Sequence, residues 1–116
     1  MITAIRTELK CPIMADIDSI EEGIAAAKAG VDLLATTLAG YTDARKATAG
    51  PDLRLVRALV ARVGVPVICE GRIRNPRDVS SAFAAGAFAV VIGTAITNPI
   101  AITASFARAA PRHGCG

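Results

Sequence analysis

Residues 65–76 of the chain read Val-Pro-Val-Ile-Cys-Glu-Gly-Arg-Ile-Arg-Asn-Pro. The apolar part of this stretch is short, rich in β-branched residues and bounded by Gly64 and Gly71, which favours a strand over a helix. Glu70 ends the run, and Pro76 stands where a following helix begins. In parallel barrels, residues at the C-terminal ends of the strands line the rim where chemistry takes place. The stretch therefore predicts a strand and a helix with Glu70 at a functional rim.

Strand and helix patterns alternate along the rest of the chain. Besides residues 65–70, strands are predicted at residues 11–16, 32–36 and 88–92, and helices at residues 2–9, 19–29, 51–63, 76–85 and 99–109. Residues 12–16 resemble residues 66–70, and each copy ends in a carboxylate. We therefore predict an α/β fold, the parallel (βα)4 half of a TIM-type (βα)8 barrel, over residues 1–110. Residues 111–116 are predicted to form an unstructured tail.

The composition limits the possible classes of protein. A chain of 116 residues with 53% hydrophobic and 20% charged residues suits one globular domain. Its net charge of +3 and its few aromatic residues do not favour nucleic-acid binding. No stretch approaches the roughly 18 uninterrupted apolar residues of a membrane span. Charged residues interrupt the first ten positions, so no signal peptide is predicted and a cytoplasmic location is expected.

Three cysteines occur, at Cys11, Cys69 and Cys115, without the C-x-x-C spacing of redox or zinc sites. Two of them lie in or beside predicted strands. We expect reduced, buried thiols, and neither a disulfide nor a metal site.

Two strand-end acids, Asp16 and Glu70, are the candidate catalytic residues. Acids that end strands two units apart in a barrel point towards one mouth, where one can take a proton and the other can orient or protonate. A structural interpretation of each is open as well. Asp16 could cap the next helix, and Glu70 could pair with Arg72 or Arg74.

Glycines follow the last two predicted strands, at the start of residues 71–73 and 93–95. In barrels these positions frequently bind phosphate, because glycine lets backbone N–H groups approach the anion and a short helix adds its dipole. Either glycine alone could only relieve a tight turn. Together, one strand and one helix apart, they predict a phosphate site.

The longest predicted loop runs from Thr37 to Gly50, and long loops at strand ends are often functional. Thr36, Thr37 and Tyr41 offer hydroxyl groups for a substrate, although threonines also end strands for structural reasons. His113 lies in the tail and is expected to be solvated.

Four motifs in order carry a resemblance to a known family: residues 14–17, 36–42, 67–73 and 91–99. They resemble the N-acylglucosamine-6-phosphate 2-epimerases, also called N-acetylmannosamine-6-phosphate 2-epimerases, over about residues 10–109. The match is to the second half of the family's pattern. The family is a (βα)8 barrel that interconverts N-acetylmannosamine 6-phosphate and N-acetylglucosamine 6-phosphate in sialic acid and amino sugar metabolism. The resemblance implies an isomerase acting on a phosphorylated N-acetylhexosamine, with no cofactor and no metal.

Roles for individual residues follow from this resemblance. It implies that Glu70 is the catalytic carboxylate and that Asp16 is a substrate-positioning or supporting acid. The implied phosphate cradle is Gly71, Arg72, Gly93 and Thr94. Independently of the resemblance, Thr37 and Tyr41 are the candidate substrate-binding residues, because they offer hydroxyl groups. The family's acid/base lysine and a substrate-holding arginine belong to strands of the first half. Lys10, Lys28 and Lys46 do not end strands, so none of them replaces that lysine.

A half barrel leaves two sheet edges and one apolar face uncovered, which favours self-association. The expected partner is therefore a second copy in a homodimer or a missing N-terminal half. Two other functions stay open: a non-catalytic phosphate-binding half barrel, and another phosphosugar-binding barrel enzyme.

Overall fold

A computed structural model of the chain describes residues 1–42 and 46–111. Its helices and strands are α1 (Ile2–Leu9), β1 (Met14–Asp16), α2 (Ile20–Lys28), β2 (Leu33–Ala35), α3 (Leu53–Val60), β3 (Val67–Glu70), α4 (Pro76–Ala84), β4 (Ala89–Val91), α5 (Thr94–Thr97) and α6 (Pro99–Ala107). Every predicted helix and strand is present, each strand being shorter than predicted, and α5 is an addition. His113, Cys115 and the rest of the predicted tail beyond Pro111 lie outside the described residues.

The four strands form one parallel sheet in the order β1-β2-β3-β4. Asp16 pairs with Ala35, Ala35 with Ile68, and Ile68 with Ala89. Each strand is followed by a helix before the next strand begins, which confirms the predicted α/β class and parallel order. Because all the strands run the same way, their C-terminal ends form one rim.

The core lies between the sheet and the helices that cover one of its faces. Its most buried side chains, all at 2% exposure or less, include Leu34, Leu55, Val56, Leu59, Val67 and Cys69. Helices α2 and α3 approach closely at Gly23, where an added Cβ would lie only 2.3 Å from Cδ2 of Leu59. Leu59 therefore fills space that any larger residue at position 23 would occupy.

The two described cysteines differ in exposure. Cys69 is buried in β3, as predicted, but Cys11 is exposed and the prediction of a buried thiol there is wrong. Cys11 lies in the connection between α1 and β1, outside the layer that the helices cover. Burial raises the pKa of the Cys69 thiol.

The opposite face of the sheet and the two terminal helices are poorly covered. Met14 and Val91, on the outermost strands, are 47% and 40% exposed. Neither α1 nor α6 has a buried residue, and Ile100 and Phe106 of α6 are 81% and 75% exposed. The radius of gyration is 17.5 Å, whereas a compact chain of this length has about 13 Å. Within residues 1–42 and 46–111, no helix combines the length and apolar character needed to cross a bilayer.

Helix α1 is held to the sheet by a pH-sensitive contact. The backbone N–H of Ile13 and Nη2 of Arg6 both donate to Oδ2 of Asp32, each at 2.8 Å. The Ile13 hydrogen bond first, and then Arg6, lower the pKa of Asp32 below its usual value. Because the pKa is lower in the folded state, the ionised carboxylate stabilises the fold at pH values above the usual aspartate pKa of about 4. This stabilisation is lost as the pH falls through the lowered pKa.

We therefore expect α1 to loosen in acid before the rest of the domain unfolds. Amide hydrogen exchange of residues 2–13, measured from pH 7 down to pH 3, should accelerate relative to β3. Replacing Asp32 with Asn should give the loosened state already at pH 7 and remove the pH dependence. If the Asn variant follows the wild-type profile, Asp32 does not control the docking of α1.

Candidate active site

Two carboxylates and one hydroxyl meet at the rim of the sheet. Oγ1 of Thr37 lies 3.1 Å from Oδ1 of Asp16 and 2.9 Å from Oε2 of Glu70. The strand register explains this meeting. Ala35 pairs with Asp16 on one side and with Ile68 on the other. Thr37 follows two residues later on the same face, and Glu70 likewise follows Ile68, so the three side chains converge.

The structural alternatives for the two acids are not observed. Helix α2 is capped by the side chain of Ser19, which accepts from the N–H of Glu22, and not by Asp16. Across residues 1–42 and 46–111, no ion pair joins Glu70 to an arginine. Both carboxylates thus stay at the rim, Asp16 exposed and Glu70 partly buried.

The backbone of Glu70 is fixed by Thr36. The Thr36 hydroxyl accepts from the N–H of Glu70 and donates to its carbonyl oxygen, both at 3.1 Å. Thr36 is 1% exposed, and its own N–H donates to the carbonyl of Ile68 at 3.1 Å. Its hydroxyl therefore has a structural role, and the expectation that it offers this group to a substrate is wrong.

A cavity of about 950 Å³, here called the rim cavity, opens beside Glu70. Seven predicted site residues line it: Thr37, Tyr41, Glu70, Gly71, Arg72, Gly93 and Thr94. Asp16 does not line it and reaches it only through Thr37. Arg74 and Arg108 line the cavity as well. With Arg72 they supply three positive charges against the one carboxylate of Glu70, a balance that favours an anionic ligand.

Arg72 ties the long loop to the rim. Its Nε donates to the carbonyl of Gly50 at 3.1 Å, its Nη2 donates to Oγ1 of Thr48 at 3.2 Å, and its guanidinium lies 5.3 Å from the ring centroid of Tyr41. In the described part of the chain, Nη1 is buried and has no hydrogen-bond partner. Arg72 also has a φ of 57°, an uncommon conformation for a residue other than glycine. The side chain thus anchors the loop and keeps one N–H donor group unused.

The other part of the same loop is held by Asp18. The hydroxyl of Thr42 donates to Oδ2 of Asp18, which is 5% exposed. This hydrogen bond is the main cause that lowers the pKa of Asp18. The carboxylate therefore stays ionised at neutral pH and keeps the loop fastened near β1.

We expect Arg72→Lys to release the loop. Lysine keeps the charge but lacks the planar fork that reaches Gly50 and Thr48 together. The loss should be about 1–3 kcal/mol in the free energy of unfolding, measured in urea, with changed amide shifts at residues 46–50. The matched control is Arg57→Lys, on the exposed side of α3. An equal loss in both variants would show that Arg72 does not anchor the loop.

Backbone donors face the cavity after β4. Gly93 caps α5, and the first N–H groups of this helix, those of Thr94 and Ala95, have no carbonyl within the helix to donate to. Gly71, with a φ of 104°, starts the loop after β3 and also lines the cavity. In TIM barrels, the loops after the last two strands and a short additional helix often hold phosphate.

Sequence reasoning missed three features of this site. It assigned Thr37 to substrate and did not foresee its contacts with the two acids, which depend on the strand register. Arg74 lies two positions after Arg72 in the same loop, and that spacing was an available signal. Arg108 follows α6 and carried no signal. Within the described residues, no group of three or more His, Cys, Asp and Glu side chains could hold a metal ion.

Comparison with known proteins gives one consistent family. A family profile described as "Putative N-acetylmannosamine-6-phosphate epimerase" matches residues 1–112. A relative from Caldanaerobacter subterraneus, described as a 2-epimerase acting on the same sugar phosphate, is 50% identical over 97 residues, which are 84% of this chain and 41% of the relative. The N-acetylmannosamine-6-phosphate 2-epimerase structure from Clostridium perfringens has a TM-score of 0.86 and 43% identity, over 94% of this chain and 47% of that one.

A more distant structure supports the fold alone. Thiamine phosphate pyrophosphorylase from Pyrococcus furiosus has a TM-score of 0.66 at 23% identity, over 82% of this chain and 45% of that one. These likenesses confirm that the sheet and its helices are the (βα)4 half of a TIM-type barrel. The chain spans less than half the length of each of these proteins.

Proposed function

Because the chain belongs to the N-acetylmannosamine-6-phosphate epimerase family, we propose that it supplies the C-terminal half of an active site that interconverts N-acetylmannosamine 6-phosphate and N-acetylglucosamine 6-phosphate. The observation that carries this proposal is the position of Glu70, a strand-end carboxylate on the wall of the rim cavity that accepts a hydrogen bond from Thr37. It is an isomerase function and needs no electron transfer.

Proton transfer at C2 is the chemistry that Glu70 would perform. The two sugars differ in configuration at this carbon, so a proton must leave C2 and return on the opposite face. Glu70 would exchange that proton on one face as general acid or base. Asp16 would support it, since both carboxylates contact the same hydroxyl.

The phosphate of the substrate would lie between the loops after β3 and β4. The cradle proposed is Gly71, Arg72, Gly93 and Thr94, with the first N–H groups of α5 as backbone donors. The positive charge from Arg74 and Arg108 supports binding of a phosphorylated sugar. Thr37 and Tyr41 would contact the sugar itself.

A second proton-transfer group must come from outside these four strands. Within residues 1–42 and 46–111, no lysine ends a strand, and the sheet has two free edges, β1 and β4. We propose that four further strands close the barrel, supplied by a second copy or by the missing N-terminal half. A half turn about the barrel axis would place β4 of one copy beside β1 of the other with all strands parallel. We place the protein in the cytoplasm, because its two described cysteines are free thiols.

The decisive experiment is proton NMR of N-acetylmannosamine 6-phosphate in D2O. The substrate is incubated with the chain alone, and with the chain plus the N-terminal half of a full-length relative. We expect the C2 proton to exchange and the gluco epimer to appear in at least one of these samples. No exchange in either sample would overturn the epimerase proposal.

The mass in solution identifies the source of the missing strands. Light scattering should give twice the 11.9 kDa of the chain if a second copy closes the barrel. A strictly monomeric, non-aggregating chain that is active only with the added half would exclude the homodimer.

A binding protein without catalysis is the second candidate function. The observation that favours it is that none of the four described strands ends in a lysine, because the cradle could persist without the full proton-transfer machinery. Tight binding of the phosphosugar with no C2 exchange in either sample would support this candidate.

A further inference from the structure

The contact between Thr37 and the two acids has an electrostatic consequence. Thr37 has a single hydroxyl proton, and carboxylate oxygens of Asp16 and Glu70 lie within 3.1 Å of its oxygen. Two ionised carboxylates this close repel each other, and each is stabilised by any proton placed between them. A three-centre hydrogen bond, in which one O–H group points between two acceptors, meets this need.

We propose that Thr37 is a positioning residue whose hydroxyl holds the side chains of Asp16 and Glu70 together at the rim. A role of Thr37 in catalysis rests on the proposed epimerase function, because the orientation of the Glu70 side chain matters only if Glu70 transfers a proton. The electrostatic role itself belongs to the free protein and can be measured without substrate. Thr37 therefore does more than the substrate binding assigned to it above.

Within the described residues, Asp16 and Glu70 both contact Thr37, and neither is paired with a positively charged side chain. The positive charges that line the rim cavity are Arg72 and Arg74, after β3, and Arg108, after α6. None of them forms an ion pair with Asp16 or Glu70 within the described residues. Arg72 is engaged with Gly50 and Thr48. The nearby carboxylate of Asp18 is bound by Thr42 and adds negative charge near β1.

A comparison of Thr37→Val and Thr37→Ser at two pH values tests this inference. Valine keeps the shape and removes the hydroxyl, whereas serine keeps the hydroxyl. At pH 7 the valine variant should have an unfolding equilibrium constant about 5- to 30-fold larger than the wild type, measured in urea. At pH 3, below the reference pKa values of aspartate and glutamate side chains in general, the difference should fall to within about twofold. Serine should restore wild-type behaviour at both values.

A second substitution makes the test specific. Adding Asp16→Asn to the valine variant removes the repulsion and should restore most of the lost stability at pH 7. The matched control is Thr103→Val, on an exposed position of α6, which should show no pH-dependent loss. A loss of equal size at pH 7 and pH 3, or no rescue by Asp16→Asn, would overturn the inference. These measurements use no substrate, so they stand even if the D2O experiment rejects the epimerase proposal.

Discussion

Replacing Glu70 with Gln is expected to lower the rate of C2 proton exchange by about 100- to 10,000-fold, the usual contribution of one general acid or base. The amide has nearly the same shape as the carboxylate, and its oxygen can still accept from Thr37, so the geometry of the rim should persist. What disappears is the group that takes up and returns a proton. The measurement is the loss of the C2 proton signal in D2O, with the assembled protein.

Binding should respond differently from turnover in this variant. The proposed cradle lies in the loops that start at Gly71 and Gly93, and it does not include the Glu70 side chain. Affinity for the phosphosugar, measured by calorimetry, should therefore change little. Glu21→Gln, an exposed carboxylate in the first turn of α2, is the matched control and should retain full exchange activity. Exchange that continues at the wild-type rate in Glu70→Gln would remove Glu70 from the mechanism.

Replacing Leu59 with Ala is expected to lower the free energy of unfolding by about 2–5 kcal/mol. Leu59 is fully buried in α3 and packs against Gly23 of α2. Its truncation leaves a cavity where these helices meet, and domains of this size are stable by only about 5–15 kcal/mol. Urea unfolding measures the loss. Val60→Ala, at a neighbouring position that is 41% exposed, should cost less than about 1 kcal/mol.

A compensating substitution sharpens this prediction. Gly23→Ala alone should be unfavourable, because its Cβ would lie 2.3 Å from Cδ2 of Leu59. In the Leu59→Ala background that obstacle is gone, and the added methyl group fills part of the cavity while alanine also favours the helix. The double variant should then be more stable than Leu59→Ala alone. If both backgrounds respond equally to Gly23→Ala, the two residues are not coupled.

The elements of the half barrel could be predicted because each has a local signal. Short apolar runs that end in a carboxylate or a threonine indicated strands, and Pro76 indicated a helix start. Glu70 was predicted for the same local reason, since it follows the apolar run directly. The short α5 was not predicted, because four residues are too few for a helical period to be visible.

Contacts between elements could not be predicted in the same way. The position of Thr37 between two acids depends on how β1, β2 and β3 are staggered, and a shift of one residue would turn Thr37 to the other face. The exposure of Cys11 depends on which connections the helices cover. Arg108 reaches the rim cavity only because α5 and α6 lie beside it.

Position 70 is suitable for redesign, because the hydroxyl of Thr36 forms hydrogen bonds with the N–H and the carbonyl oxygen of Glu70 and fixes its backbone. On the Glu70 side, these two hydrogen bonds use only main-chain atoms, so any side chain other than proline at position 70 leaves both partners in place. A library of substitutions at this one position would present histidine, cysteine or aspartate to the same cavity from the same anchored backbone. Such a library would show which proton-transfer groups this half barrel can use, because differences in activity would reflect the new side chain and not a movement of β3.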